Sequence, residues 1–374
     1  MKKLTSIILA LVMMLGCVAA FASCAKSEVE FTPEQQEIGL TPLTANRTKA
    51  MVATTAFPNE QFAVWAFYKQ IEEGTSIADW QASSATQTTY IDEKPFGQTS
   101  TAGLWGGADA TYFWPKEGSL MFVGYYPVSM KDVVTYSFGA DVNTMTVAGY
   151  TPGNYQTTGF VNTATGSNHV EDFMYFNMTA ASCDASTTGP DNSVKTGNHV
   201  DVVFRHALSW LTVVLKKDAT TPAGATITVK DVYFTDVNTT GTGTVNNSPA
   251  TGQTNEISWA TTDADTEVYV LGGAAEDADN TTPLTEEYTC KEPILIPQVM
   301  DGNLVITYEI KSSDGSAFTE TKTIPLSSLD DNADADNWEP GKKYTYTVTI
   351  GTSEILIDPV IQEWVPEPAE VNIQ

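Results

Sequence analysis

The sequence predicts an all-β protein built of two β-sandwich domains, and three observations carry that expectation. Short runs rich in Thr, Val, Tyr, Ile and Phe alternate apolar and polar residues with period two, turn residues separate the runs, and helical periodicity is scarce. The chain has 374 residues, enough for about two domains at roughly 150 residues each. Hydrophobic residues make up 42% of it and charged residues 17%, far too apolar a balance for a disordered chain.

The N-terminus reads MKKLTSIILALVMMLGCVAAFASC: two lysines, an apolar run from Ile7 to Leu15, then small residues running into cysteine. That is an export signal over residues 1–23, too short for a stable membrane span. A cysteine directly after small residues suggests a lipoprotein, with Cys24 as the acylated residue and Cys17, after Leu15-Gly16, as its competitor. An ordinary signal peptide with Cys24 as a bystander is the plain alternative. Losing residues 1–23 removes Lys2 and Lys3 and no acid, so a formal charge of −27, from 19 basic and 46 acidic residues, becomes −29. Such an acidic surface repels phosphate backbones and excludes nucleic acid as a partner.

The pro-segment 24–47 follows. Within it Ile38 and Leu40 alternate with Glu37, Gly39 and Thr41, a strand pattern, and the basic patch NRTKA offers Arg47 and Lys49 to a trypsin-like protease. A surface linker is the plain alternative. The first sandwich is expected over 48–196, with strands at 62–68, 119–128 and 172–178. One helical stretch is predicted near Glu72–Ala82, with Ser76 as a candidate N-cap. The seam is placed near Gly197, in the polar stretch 182–200, which holds a Gly-Pro pair.

The second sandwich is expected over 197–351. Its strands read as one long run at 201–217, then 226–237, 266–271, 293–298, 303–310 and 344–350, with 237–256 as a loop or hairpin inside it. In the last strand Tyr344, Tyr346, Val348 and Ile350 share one face and three threonines the other, predicting one packed and one wet side. The tail 352–374 does not fray into polar residues. Ile355 and Ile357 alternate, Pro359 interrupts, and Val360, Ile361 and Trp364 follow, so this segment is expected to dock as a strand.

Catalytic patterns are missing from the sequence: there is no HExxH, GxSxG, CxxC or P-loop, and the three histidines are His169, His199 and His206. No cofactor is called for, and the expectation is a protein that is not an enzyme. A carboxylate-pair hydrolase is a minority reading. The acidic residues Asp331, Asp334 and Asp336 lack the glycine and distal Glu of a calcium loop and read as solvated surface. In Arg205-His206 strand alternation separates the two side chains, leaving one as a satisfied polar group near the core. Trp65, Trp114 and Trp210 sit in strand patterns and read as core. Cys183 and Cys290 are either a disulfide or two buried thiols; spacing does not decide.

Several stretches together carry a resemblance: the leader followed by SCAKSEVEFTP, the ANRTKA site, FRHALSWLTVVLKK, the LIPQ strand end, WEPGKKYTYTVTI, and VIQEW. In order and spacing they resemble the fimbrillin family of type V pilus subunits from Bacteroidetes-type bacteria. The resemblance implies two tandem transthyretin-like β-sandwich domains, export as an outer-membrane lipoprotein anchored through Cys24, and cleavage after Arg47 by an arginine-specific protease. It further implies that the cut removes the strand holding Ile38 and Leu40, and that another subunit's tail fills the vacancy. The donor residues would be Ile355, Ile357, Val360, Ile361 and Trp364, and the mature location a cell-surface fimbria. Shaft, anchor and tip roles, and ligands on host or bacterial surfaces, stay open. A competing reading is a surface lipoprotein that never polymerises, an adhesin or glycan-binding module using aromatics in LWGGADATYFW at 104–114.

Overall fold

In the computed structural model, the strand that closes the first sheet comes from the stretch just before Arg47. The structure describes residues 37–44, 60–71, 80, 83–138, 143–150, 172–182, 199–246, 257–262, 266–272, 283–285, 287–329, 337–352 and 355–363. The chain divides into two units, Met1–Glu37 and Ile38–Gln374, and the second carries the architecture below.

Its strands, in order, are β1 (Gly39–Thr44), β2 (Phe62–Lys69), β3 (Thr88–Gln98), β4 (Trp105–Gly107), β5 (Ser119–Tyr126), β6 (Val134–Phe138), β7 (Asn143–Tyr150), β8 (Met174–Ser182) and β9 (His199–His206). The second half continues with β10 (Ser209–Lys217), β11 (Thr226–Val237), β12 (Thr240–Asn246), β13 (Ile257–Thr262), β14 (Thr266–Leu271), β15 (Glu287–Thr289) and β16 (Ile294–Leu295). It ends with β17 (Asn303–Lys311), β18 (Ala317–Pro325), β19 (Lys342–Ile350) and β20 (Ile355–Glu363). The protein is all-β, as the alternation predicts.

Seven strands form a closed sheet in the order β1-β4-β3-β2-β5-β8-β9, with β1 and β9 meeting in parallel. Its interior is a cluster of Ile38, Leu40, Phe62, Phe96, Phe122, Phe176 and Phe204 with their neighbours. Phe62 and Phe176 make edge-to-face contacts with Phe204 at 5.2 and 5.0 Å, geometries that favour ring quadrupoles. The outer face of β2, β5 and β8 is also covered, packing Trp65, Phe67, Val123 and Tyr175 against Met145, Val147, Val245 and Ile257. This is why β5 is buried at every position and lacks a wet face: a strand covered on both sides reads as a continuous apolar run.

The covering sheet is ordered β13-β12-β7-β6. The segment 237–256 was expected to stay inside the second half; instead β12 pairs antiparallel with β7 of the first, from Thr244↔Thr146 to Asn246↔Thr144. On its other edge β12 pairs with β13, where Gly243 leaves room for the β13 side chains. A Cβ at Gly243 would come within 2.7 Å of Ile257 and about the Trp259 ring, at 3.0 Å.

The predicted single strand 201–217 is two strands. β9 closes the first sheet and β10 joins a different one, and the break falls at Ala207–Leu208, both fully buried. The Ala207 amide donates to the Phe173 carbonyl, the Gly341 amide to the Leu208 carbonyl, and the Trp259 indole to the Ala207 carbonyl. Apolar residues on both sides of the break hide it from periodicity. The seam expected near Gly197 lies outside the described residues, as does the helical stretch 72–82 apart from Trp80, which is helical and buried.

The second half is two facing sheets, β15-β10-β19-β20 with β16 beside β10, and β14-β11-β17-β18. Between them lie Leu211, Val213, Ile227, Phe234, Leu304, Ile306, Trp338, Tyr346 and Val348. In β19 the buried residues alternate as predicted, with Tyr344, Tyr346, Val348 and Ile350 inward. Trp338 donates to the Tyr346 hydroxyl at 2.9 Å, so the deepest indole of this core has its partner.

Candidate functional site

β1 is held along both edges. On one it pairs with β9 in parallel from Gly39↔His199 to Thr44↔Phe204. On the other, Leu40 pairs with Trp105 of β4 and the Ile38 amide donates to the Tyr112 carbonyl at 2.8 Å. Ile38 and Leu40 are 3% and 0% exposed, and Pro42, two residues on, is buried on the same face. Fully burying side chains of this size contributes ~1.5–3 kcal/mol each. Thr41 and Leu43, on the other face, are half-buried. There Asp201 is paired with Thr41, and burial pushes its carboxyl above the usual range, partly offset by His199. Gly39 stands under the Leu104 side chain: a Cβ there would stand 2.5 Å from Leu104 Cδ1 and 3.2 Å from His199 Cδ2.

Among the described residues, β20 is held along one edge only. It pairs antiparallel with β19 of its own sheet from Ile350↔Ile355 to Lys342↔Glu363. Ile355 and Ile357 turn inward and pack partly on the core, while Leu356, Val360 and Ile361 are 55%, 40% and 40% exposed. Alternation places Val360 and Ile361 on opposite faces, so the residues Ile355, Ile357, Val360 and Ile361 do not form one apolar stripe. A small gap separates Pro359, Val360 and Ile361 from Met300, Leu326, Leu329, Tyr344 and Tyr346. This strand therefore covers its core less completely than β1 covers the first one.

At the corresponding edge of the facing sheet, β18 points Glu320 and Lys322 inward, where they contact each other, and Glu320 accepts from the Tyr308 hydroxyl at 2.8 Å. The lysine and the Tyr308 hydroxyl hold the Glu320 carboxyl below its ordinary range. Inward charges guard an edge against unwanted pairing; the edge at β20 carries Asp358 and Pro359 instead.

Cys24, Arg47, Lys49 and Trp364, and with them Cys183 and the acidic residues 331–336, lie outside the described residues. Cys290 is a buried free thiol whose ionisation burial opposes. Of the pair Arg205-His206, His206 is the buried member, its Nδ1 2.6 Å from Asp172 Oδ2. Trp105 and Trp114 are 5% and 7% exposed and belong to the first core, with Tyr112 partly buried against it and Phe113 half-buried. Among the described residues no cluster of His, Cys, Asp and Glu fits a metal ion, and no helix is long and apolar enough to cross a membrane. Sequence reasoning missed Pro42 and Gly39, whose roles become visible only with the register of β1 in hand.

A family model described as fimbrillin-like matches residues 54–364, and the chain belongs to the fimbrillin-like family. Among solved structures it is similar to a fimbrial protein from Bacteroides vulgatus, at 18% identity and a TM-score of 0.50, covering 88% of this chain and 100% of that one. It is also similar to the tip fimbrial protein Mfa3 from Porphyromonas gingivalis, at 9% identity and a TM-score of 0.37, covering 88% and 100%. Among curated proteins none matches.

Proposed function

We propose that this protein is a structural, non-enzymatic subunit of a cell-surface fimbria, which polymerises by strand exchange after its N-terminal strand is removed. The precursor is exported, lipid-anchored to the outer membrane through Cys24, and cut after Arg47 by an arginine-specific protease. The released piece carries β1 with it, and β20 of another subunit takes the vacancy.

One observation supports this most: the strand that seals the first core lies just before the candidate cut, while the tail is a half-covered edge strand. Removing β1 bares the places of Ile38 and Leu40 and the open edges of β9 and β4. Strand addition then supplies ladder hydrogen bonds, with alternate side chains filling pockets. The donor's large apolar groups at ~1.5–3 kcal/mol each reach on the order of 10 kcal/mol before ordering costs. Keeping β1 in place until cleavage prevents premature edge pairing.

The test is to treat the purified precursor with an arginine-specific protease and follow its size by light scattering and electron microscopy. Filaments or stable multimers on cleavage after Arg47 are expected; a product of residues 48–374 that stays monomeric overturns the reading.

A further inference from the structure

The stretches that hold β1 and β20 share a pattern of apolar residues and a proline. Ile38-Gly-Leu-Thr-Pro-Leu-Thr44 and Ile355-Leu-Ile-Asp-Pro-Val-Ile361 share isoleucine at the first position, Leu40 or Ile357 at the third, proline at the fifth, and Leu43 or Val360 at the sixth. The two strands also present the same face. Ile38 just before β1 and Leu40 and Pro42 within it are buried, and Ile355, Ile357 and Pro359 are the inward, half-buried side of β20.

We infer that β20 of a second copy replaces β1 in one fixed register, with Ile355, Ile357 and Pro359 taking the places of Ile38, Leu40 and Pro42, and that the Leu104 side chain must turn aside to admit it. This rests on the strand-exchange reading above.

The register follows from three constraints. A slip of one residue sends the isoleucines to the wrong face. N–H groups of alternate strand residues point to the same side, and the Ile38 amide points toward Tyr112 on the β4 side. The N–H of Leu40 points that way too, and position 42, held by Pro42, faces the same side. Position 40 is paired there with Trp105, and among the described residues no pair on that side extends to position 42. Proline, which lacks the donor, therefore fits at 42 and loses a ladder bond at 40, which disfavours a two-residue slip toward Leu40. A two-residue slip the other way puts Ser353 into the place of Ile38, leaving an apolar pocket filled by a hydroxyl.

Two mismatches mark the cost of this register. Leu356 arrives at Gly39, where a Cβ meets Leu104 Cδ1 at 2.5 Å; the obstacle is the end of a flexible side chain, which can rotate. Asp358 arrives at Thr41, opposite Asp201, and like charges facing across a ladder repel. In return Leu356, 55% exposed at home, gains an apolar neighbour.

The register is read by cysteine pairing in the full chain, with Cys183→Ser and Cys290→Ala to clear the background. Asp201→Cys is combined in turn with Leu356→Cys, Asp358→Cys or Val360→Cys, and each variant is cut with the arginine-specific protease and oxidised. Thr41→Cys with Asp201→Cys, left uncut, is the positive control for this cross-strand geometry. The 201/358 pair is expected to give intermolecular disulfides on the order of tenfold more than 201/356 or 201/360, because disulfide geometry tolerates little displacement. Dominant linkage through 356 or 360, or none while the control links, overturns the register although multimers still form. Absence of multimers in the cleaved, unsubstituted chain overturns the exchange reading and the register with it. Leu104→Ala and Asp358→Asn are expected to assemble faster after cleavage than the unsubstituted chain, a gain that misfolding does not mimic; slower or equal assembly of both overturns the assigned contacts.

Discussion

Leu40 lies opposite Trp105 across the one antiparallel pair that joins β1 to β4, and the two are 0% and 5% exposed. A strand proposed to leave the molecule thus contributes a fully buried side chain to the first core. Leu40→Ala in the uncleaved chain should cost about 2–5 kcal/mol, the range for truncating a buried leucine. Urea unfolding followed by tryptophan fluorescence measures it, with Trp105 beside the substituted position. A loss within about 0.5 kcal/mol, the size expected of a surface change, would mean that β1 adds little to closing the sheet.

Two glycines separate flexible from rigid obstruction. At Gly39 an added Cβ meets the end of Leu104. At Gly124, in the middle of β5, it meets the Phe176 ring and the Ala63 carbonyl oxygen, and neither can rotate away. Gly124→Ala should therefore destabilise by about 1–3 kcal/mol or more, as overpacking does, and Gly39→Ala by clearly less. Thermal unfolding of both variants checks the order, and adding Leu104→Ala should recover Gly39→Ala but not Gly124→Ala.

Asp201 gives the β1 junction a pH dependence. Burial favours its protonated form in the fold, so the folded state holds its proton to higher pH than the unfolded chain. Stability from this group is greatest in acid, falls as pH rises through its titration, and the cost is complete once the carboxyl is ionised. Asp201→Asn should stabilise the uncleaved chain at pH 7 by a few tenths of a kcal/mol, with the gain fading below about pH 4, where an ordinary aspartate is protonated. Unfolding curves at several pH values show whether the difference between the two chains shrinks in acid.

Much of the fold was legible because period two survives wherever one strand face is wet. β19 shows its pattern in YTYTVTI, and β11 and β14 run over the residues that alternation marks. Legibility failed where burial is two-sided or absent. β9 and β10 read as one strand because Ala207 and Leu208, at the break, are as buried as their neighbours. β18, with exposed or half-exposed residues throughout, and the Thr/Gly strand β12 carry too little apolar signal to separate them from loops. At the candidate site Ile38, Leu40, Ile355 and Ile357 were visible as alternating pairs. Which face Val360 shares, and what crowds Gly39, depends on partners distant in sequence.

The pair of His206 and Asp172 guards the point where the chain leaves the first sheet. His206 ends β9, Asp172 stands just before β8, and Nδ1 and Oδ2 are 2.6 Å apart. The next residues tie this exit to the second half: the Ala207 amide donates to Phe173, and the Ser209 hydroxyl to the Glu339 carbonyl at 2.8 Å. A side chain 6% exposed that loses its acceptor leaves a desolvated ring nitrogen, and that costs about 1–3 kcal/mol. Asp172→Ala should show this loss, while Asp172→Asn, which still offers an amide oxygen, should show less than half of it. Equal losses in the two variants, measured by urea unfolding, would mean that the carboxylate charge rather than the hydrogen bond holds His206 in place.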